Sequence, residues 1–113
     1  MTVISLSAEI ALPPEQVYDY VTRPVRWKEW HPASQAVTEV GDESLVAGRR
    51  FEEDVRSAGR QRHLTWLVEE SRPGERWRAS AYMADGSTVR LTYDMVASGN
   101  GTRFTRTLEY TLR

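Results

Sequence analysis

Two charged residues fall where the surrounding pattern is apolar. Glu53 shares an alternating stripe with Phe51 and Val55, and Arg106 shares one with Phe104, Leu108, Tyr110 and Leu112. A buried charge without a partner is costly, so a charge on the inward face of a strand has to be compensated. An inward arginine suits a carboxylate, phenolate or carbonyl group, because its planar fork of N–H donors matches such oxygens. In the competing arrangement the two charges bridge each other, or reach water from a strand end. Tyr93, Tyr82, Tyr110 and Tyr20 add hydroxyls on apolar rings. Tyr93 lies in mid-strand on the expected concave side and is the best placed of them to touch a ligand.

The two histidines are His31 and His63. His31, next to Pro32, is the better placed for acid/base work, whereas His63 alternates outward into solvent. Neither has the spacing of a metal-binding pair, so no metal and no other cofactor is expected. Covalent catalysis finds no support, since the chain has no cysteine and no Gly-x-Ser-x-Gly elbow. Glu52-Glu53 and Glu69-Glu70 are adjacent within strands and point to opposite faces, which makes them poor carboxylate dyads. The glycines at 99 and 101 lie between two strands rather than ahead of a helix, so they do not form a phosphate loop.

The elements that must position these groups follow from periodicity. Residues 2–11 alternate as a strand, with Ile4, Leu6, Ala8 and Ile10 on one face. Pro13 and Pro14 stop it and open a helix over Pro14–Val21, with Val17, Tyr20 and Val21 as its apolar face. Between Pro24 and Pro32 there is room for one or two more turns, whose Trp27 and Trp30 are expected to anchor the helical pair at the sheet rim. Period two then returns over 35–41, 49–58, 61–71, 76–84, 87–97 and 102–112, separated by Gly-containing turns. Links this short make the strands an antiparallel meander, because parallel neighbours need long crossovers.

A chain of 113 residues accommodates one domain. Its 15 basic and 16 acidic residues are scattered, giving a formal net charge of -1. That balance offers no footprint for a phosphate backbone, so nucleic acid is not an expected partner. No apolar run is long enough to span a membrane. The first residues lack the basic-then-apolar layout of a secretory signal, and the cytoplasm is the expected compartment.

One strand, a broken helical pair and six further strands is the order of the START-like (Bet v 1-like, SRPBCC) superfamily. Several segments resemble its motifs: LPPEQVYDYV after the first strand, RWKEWHP closing the helical pair, WLVEESRPGERW, and GNGTRFTRTLEY in the last hairpin. Over residues 2–112 the chain resembles the polyketide cyclase/dehydrase branch of that superfamily. The resemblance implies an α+β, helix-grip-like fold, a curved antiparallel sheet of about seven strands around a hydrophobic ligand cavity. The usual long C-terminal closing helix has no counterpart before Arg113. Its absence would leave the concave face open, a large apolar patch that soluble monomers rarely tolerate, and a homodimer covering that face is therefore expected.

The residues expected to face a ligand are Phe51, Glu53, Trp66, Trp77, Ala81, Met83, Leu91, Tyr93, Arg106 and Leu108. The main functional expectation is binding of a small hydrophobic molecule of lipid, aromatic polyketide or isoprenoid type. The alternatives are a polyketide cyclase/aromatase or dehydratase using Arg106, Tyr93 and His31, and protein docking through the open face. Resemblance of fold does not choose among them.

Overall fold

The computed structural model describes residues 1–113, with every side chain except that of Ser57. The strands are β1 (Thr2–Ile10), β2 (Ser34–Thr38), β3 (Arg50–Ser57), β4 (Arg60–Arg72), β5 (Arg76–Tyr82), β6 (Thr88–Ser98) and β7 (Gly101–Thr111), and β1 is joined to β2 by a helix and a 3-10 helix. All seven form one antiparallel sheet in the order β1-β7-β6-β5-β4-β3-β2. Consecutive strands from β2 to β7 pair as hairpins, and β1 returns to the free edge of β7. The β3–β4 turn is Ala58-Gly59, with φ of 52° and 77°, the left-handed pair that matches the twist of a two-residue hairpin.

Residues that face each other across an antiparallel ladder share a side of the sheet. The register therefore assigns the concave side directly: Leu6, Arg106, Tyr93 and Trp77 form one row across β1, β7, β6 and β5. Ile4, Leu108, Leu91, Ala79 and Val68 form the next, reaching β4. The alternation legible in the sequence is the alternation of the sheet. A bulge between Val68 and Glu70 interrupts the β4–β5 ladder, and such a bulge bends its strand.

The helix α1 (Pro14–Val21) has Pro14 in its first turn and buries Val17, Tyr18 and Val21. The expected face named Tyr20 instead of Tyr18. Tyr20 is exposed, and its hydroxyl donates to Glu29 at 2.8 Å. A phenol at the edge of a short helix can satisfy its polar tip outside, so the buried stripe rotates to the neighbouring ring. The 3-10 helix (Pro24–Glu29) then carries Trp27 inward.

Trp27 is not at the sheet rim as expected. It is 1% exposed, and its ring meets Phe51, Trp66, Trp77 and Tyr93 edge-on at centroid distances of 5.5 to 6.5 Å. Its indole N–H donates to the Val21 carbonyl at 2.9 Å. The helical pair thus plugs part of the concave side with a single tryptophan. No helix follows β7, and no helix among the described residues is long and apolar enough to cross a membrane.

Candidate functional site

Beside Trp27 the concave side holds a cavity of about 290 Å³, just under the roughly 300–1,000 Å³ usual for small-molecule pockets. Its buried floor is made by Trp27, Glu53, Leu64, Trp66, Leu91 and Tyr93, while Arg62, Met83, Leu108 and Leu112 reach solvent at the rim. Seven of the ten residues expected to face a ligand line it: Glu53, Trp66, Met83, Leu91, Tyr93, Arg106 and Leu108. His31 also lines it.

Phe51, Trp77 and Ala81 are on the concave side but do not line the cavity. Phe51 lies fully buried behind Trp66, the two rings stacked at 5.9 Å. Trp77 stacks on Tyr93 at 5.5 Å, and its indole N–H donates to the Leu45 carbonyl at 2.9 Å. The Ala81 methyl sits between its ladder partners Trp66 and Val89, both much larger. Alternation finds the face of a sheet but not which part of that face is covered.

Val55, Leu64, Val89 and Leu112 complete the apolar lining and follow the same alternation. Arg62 is a third charge on an inward stripe, sharing a side with Leu64 and Trp66, and the sequence reading missed it. It sits at the cavity mouth with 19% of its side chain exposed, 3.9 Å from Asp85. Trp27 comes from the 3-10 helix and Ala33 from the turn before β2, segments whose approach to the sheet leaves no periodic signal.

Arg106 and Glu53 do not bridge each other. Nη2 of Arg106 donates to Nε2 of His31 at 2.7 Å. Arginine offers no acceptor, so that ring nitrogen carries the lone pair, and the proton of the neutral imidazole is on Nδ1. Burial, and then the charge on Arg106, pulls the His31 pKa below its ordinary value, in agreement with a neutral ring. Glu53 is 4% exposed, and its Oε1 accepts from the Trp66 indole at 3.0 Å. Burial pushes its carboxyl pKa up, opposed by the neighbouring Ser34 hydroxyl, the Trp66 indole and the positive charge on Arg106. The Tyr93 phenol is also pushed up by burial, with Arg106 pulling the other way.

Five buried side-chain polar atoms lack a hydrogen-bond partner among the described residues: Trp30 Nε1, His31 Nδ1, Ser34 Oγ, Tyr93 Oη and Arg106 Nε. Buried polar groups are ordinarily satisfied, so a concentration of exceptions marks a place built for something else. Three of the five lie within residues 30–34, and the other two, Tyr93 and Arg106, are direct partners across β6 and β7. His31 and Arg106 are in contact, and the Trp30 ring lies 6.0 Å from that of Tyr93. Four of these atoms can donate a hydrogen bond once His31 carries its proton on Nδ1, and the Ser34 hydroxyl makes a fifth. Three of the five belong to residues that line the cavity, His31, Tyr93 and Arg106, and Glu53 is the one carboxyl among the described lining residues.

His63 lies on the convex side, as expected. Its two ring nitrogens each lie 2.8 Å from a carboxylate oxygen, of Asp54 and of Glu52. Both neighbours can only accept when ionised, so the ring carries both protons, and those hydrogen bonds raise its pKa.

The fold recurs among solved structures. The protein DR_A0006 from Deinococcus radiodurans superposes with a TM-score of 0.79 at 16% identity, over 98% of this chain and 83% of that one. TTHA0849 from Thermus thermophilus gives 0.75 at 22% identity, over 99% and 75%. Ara h 8.0201 gives 0.69 at 10% identity, over 97% and 78%. At such identities the likeness is one of fold. No curated protein gives a significant match. The family described as polyketide cyclase / dehydrase and lipid transport matches residues 1–113, the whole length over which the sheet, the helical pair and the cavity are built, and the chain belongs to that family.

Proposed function

We propose that this protein binds a small, largely apolar molecule in the cavity and holds it by an oxygen-bearing group directed at Arg106 and Tyr93. Molecules of lipid, aromatic polyketide or isoprenoid type fit this description. The observation that carries the reading is that His31, Tyr93 and Arg106, each with an unpartnered polar atom, line an otherwise apolar hollow. Two arginines, Arg62 and Arg106, against one carboxyl, Glu53, make the lining electropositive and favour a carboxylate, phenolate or carbonyl over an amine. The test is calorimetric titration with 2-naphthoate, 2-naphthol, farnesol and decanoate, on the native chain and on Arg106→Met. Binding of at least one acid or phenol, weakened tenfold or more by Arg106→Met, is the expected result. No heat from any of the four would overturn the reading.

A cyclase/aromatase or dehydratase working in the same cavity is the second reading. Glu53 favours it, since a buried carboxyl with a raised pKa is suited to moving a proton at neutral pH. His31, with a proton on Nδ1, and Tyr93 are further groups for such a step. Turnover lost in Arg106→Met while ligand affinity stays unchanged would favour the enzyme; loss of affinity alone would favour the binder.

The open part of the concave face supports association with a second copy. Ile4, Leu6 and Leu112 are 42%, 63% and 49% exposed, and β1 is an edge of the sheet. From Ile4 to Ala8 that edge contains no charge and no proline, the usual devices that keep edges apart. An antiparallel pairing of β1 with its own copy, centred on Leu6, would bring Leu6 against Leu6 and Ile4 against Ala8. Light scattering should report a dimer that Leu6→Lys converts to monomer; a native monomer at all concentrations would refute it and leave the face to another protein.

A further inference from the structure

Resting on the binding reading above, we propose that Glu53 selects guests that carry a hydroxyl beside the oxygen held by Arg106, so that the preferred ligand class is a hydroxy acid or hydroxy ketone rather than a plain acid or hydrocarbon. Glu53 is the only carboxyl in the lining. It forms no ion pair among the described residues. Its partner is the Trp66 indole, which accounts for Oε1. Trp66 is itself fixed by stacking on Phe51 and by the edge of Trp27, so the carboxyl is held in one orientation. The Ser34 hydroxyl is near enough to lower the Glu53 pKa, yet it is not seated in a hydrogen bond, and Oε2 is left without a well-aligned donor among the described side chains.

A carboxyl in an apolar cavity that receives one indole hydrogen bond, with only the Ser34 hydroxyl near it besides, has capacity for a further donor from a guest. A ligand ammonium would satisfy it, but would also face the guanidinium groups of Arg106 and Arg62 in the same lining. A hydroxyl gives the hydrogen bond without that repulsion. The acceptor part of the guest then belongs to Arg106 and Tyr93, whose donors are unpartnered, and the donor part to Glu53. A cavity of about 290 Å³ with both polar groups in its walls favours a guest whose hydroxyl and carbonyl are a few bonds apart on a rigid frame.

The test uses 2-naphthoate and its 1-, 3- and 6-hydroxy derivatives in calorimetric titrations of the native chain, Glu53→Met and Glu53→Gln. At least one hydroxy isomer should bind about tenfold more tightly than 2-naphthoate, about 1.4 kcal/mol. Glu53→Met should remove that preference, so that in this variant 2-naphthoate and its hydroxy derivatives bind within about twofold of one another. Glu53→Gln keeps an acceptor oxygen and should retain part of it, which separates loss of the hydrogen bond from loss of the fold. If 2-naphthoate binds and depends on Arg106, but hydroxylation brings no gain or the gain survives in Glu53→Met, this inference is wrong and the binding reading stands. If 2-naphthoate, 2-naphthol, farnesol and decanoate all fail to bind, the binding reading falls and this inference with it.

Discussion

Nη2 of Arg106 and Nε2 of His31 are 2.7 Å apart, which ties the inward charge of β7 to the turn after the 3-10 helix, 75 residues earlier in the chain. The contact stabilises the neutral imidazole and leaves the Arg106 Nε and the Tyr93 hydroxyl unpartnered at the cavity wall. It also makes β7 and the segment after the 3-10 helix jointly responsible for the site's charge.

The two histidines should titrate in opposite directions. His31 is held neutral by burial and by Arg106, so its pKa falls below 6.5. The unfolded chain takes up a proton there first, and the stability owed to His31 is lost as pH falls from 6.5 through the folded value. His63 is held protonated by Asp54 and Glu52, so its pKa rises above 6.5, and its contribution is present below 6.5 and lost as pH rises through the folded value. With only two imidazoles, an NMR titration assigns both. Titration of His31 above 6.5, or with its proton on Nε2, would contradict the Arg106 contact.

Glu53 makes a separate pH prediction. Its folded pKa is raised from 4.5 by burial, so the stability associated with its neutral form is present below 4.5 and lost as pH rises through the folded value. Glu53→Gln keeps the acceptor for Trp66 and removes the charge. Urea denaturation should find the variant and the native chain nearly equal at about pH 4 and the variant more stable at about pH 8. Equal stability at both would mean that Glu53 is solvated.

Replacing Trp27 tests the plug. Trp27→Ala removes a ring with four aromatic neighbours and should cost about 3–5 kcal/mol, a large share of the roughly 5–15 kcal/mol of a typical domain. Trp27→Phe keeps most of the packing but leaves the buried Val21 carbonyl without its indole donor, for about 1–3 kcal/mol. A loss below about 1 kcal/mol for the alanine variant would return Trp27 to the rim.

At the start of β7, a Cβ on Gly101 would collide with the carbonyl oxygen of Ile10, and the next residue, Thr102, donates its hydroxyl to the Leu12 carbonyl at 2.7 Å. Both partners are backbone and cannot swing away. Gly101→Ala should therefore cost about 1–3 kcal/mol in thermal or chemical denaturation. Gly99 has φ of 58° and open space around it, a conformation asparagine tolerates, so Gly99→Asn should cost far less. Equal effects of the two would show that the β1–β7 approach is not tight.

The strands, their antiparallel order and the inward stripe were legible because a hydrophobic period of two, broken by Gly-containing turns, states both the element and its face. The same period placed Arg106, Glu53 and Tyr93 on one side before any coordinates. Arg62 obeys that rule too, at the end of a stripe whose apolar signal comes from Leu64 and Trp66. The apolar face of α1 takes Tyr18 in place of the expected Tyr20, since a helix of eight residues has too few turns to separate the two by spacing.

What the sequence determined by itself, then, is a single sheet with one greasy side, because alternation is a local property of the chain. Which portion of that side stays hollow was decided by tertiary structure. Trp27 fills part of it, Trp66 covers Phe51, Tyr93 covers Trp77, and His31 rather than Glu53 takes the guanidinium of Arg106. Each of these depends on how a short helical pair crosses strands far away in the chain, and volume filled between distant segments has no periodic trace in the order of residues.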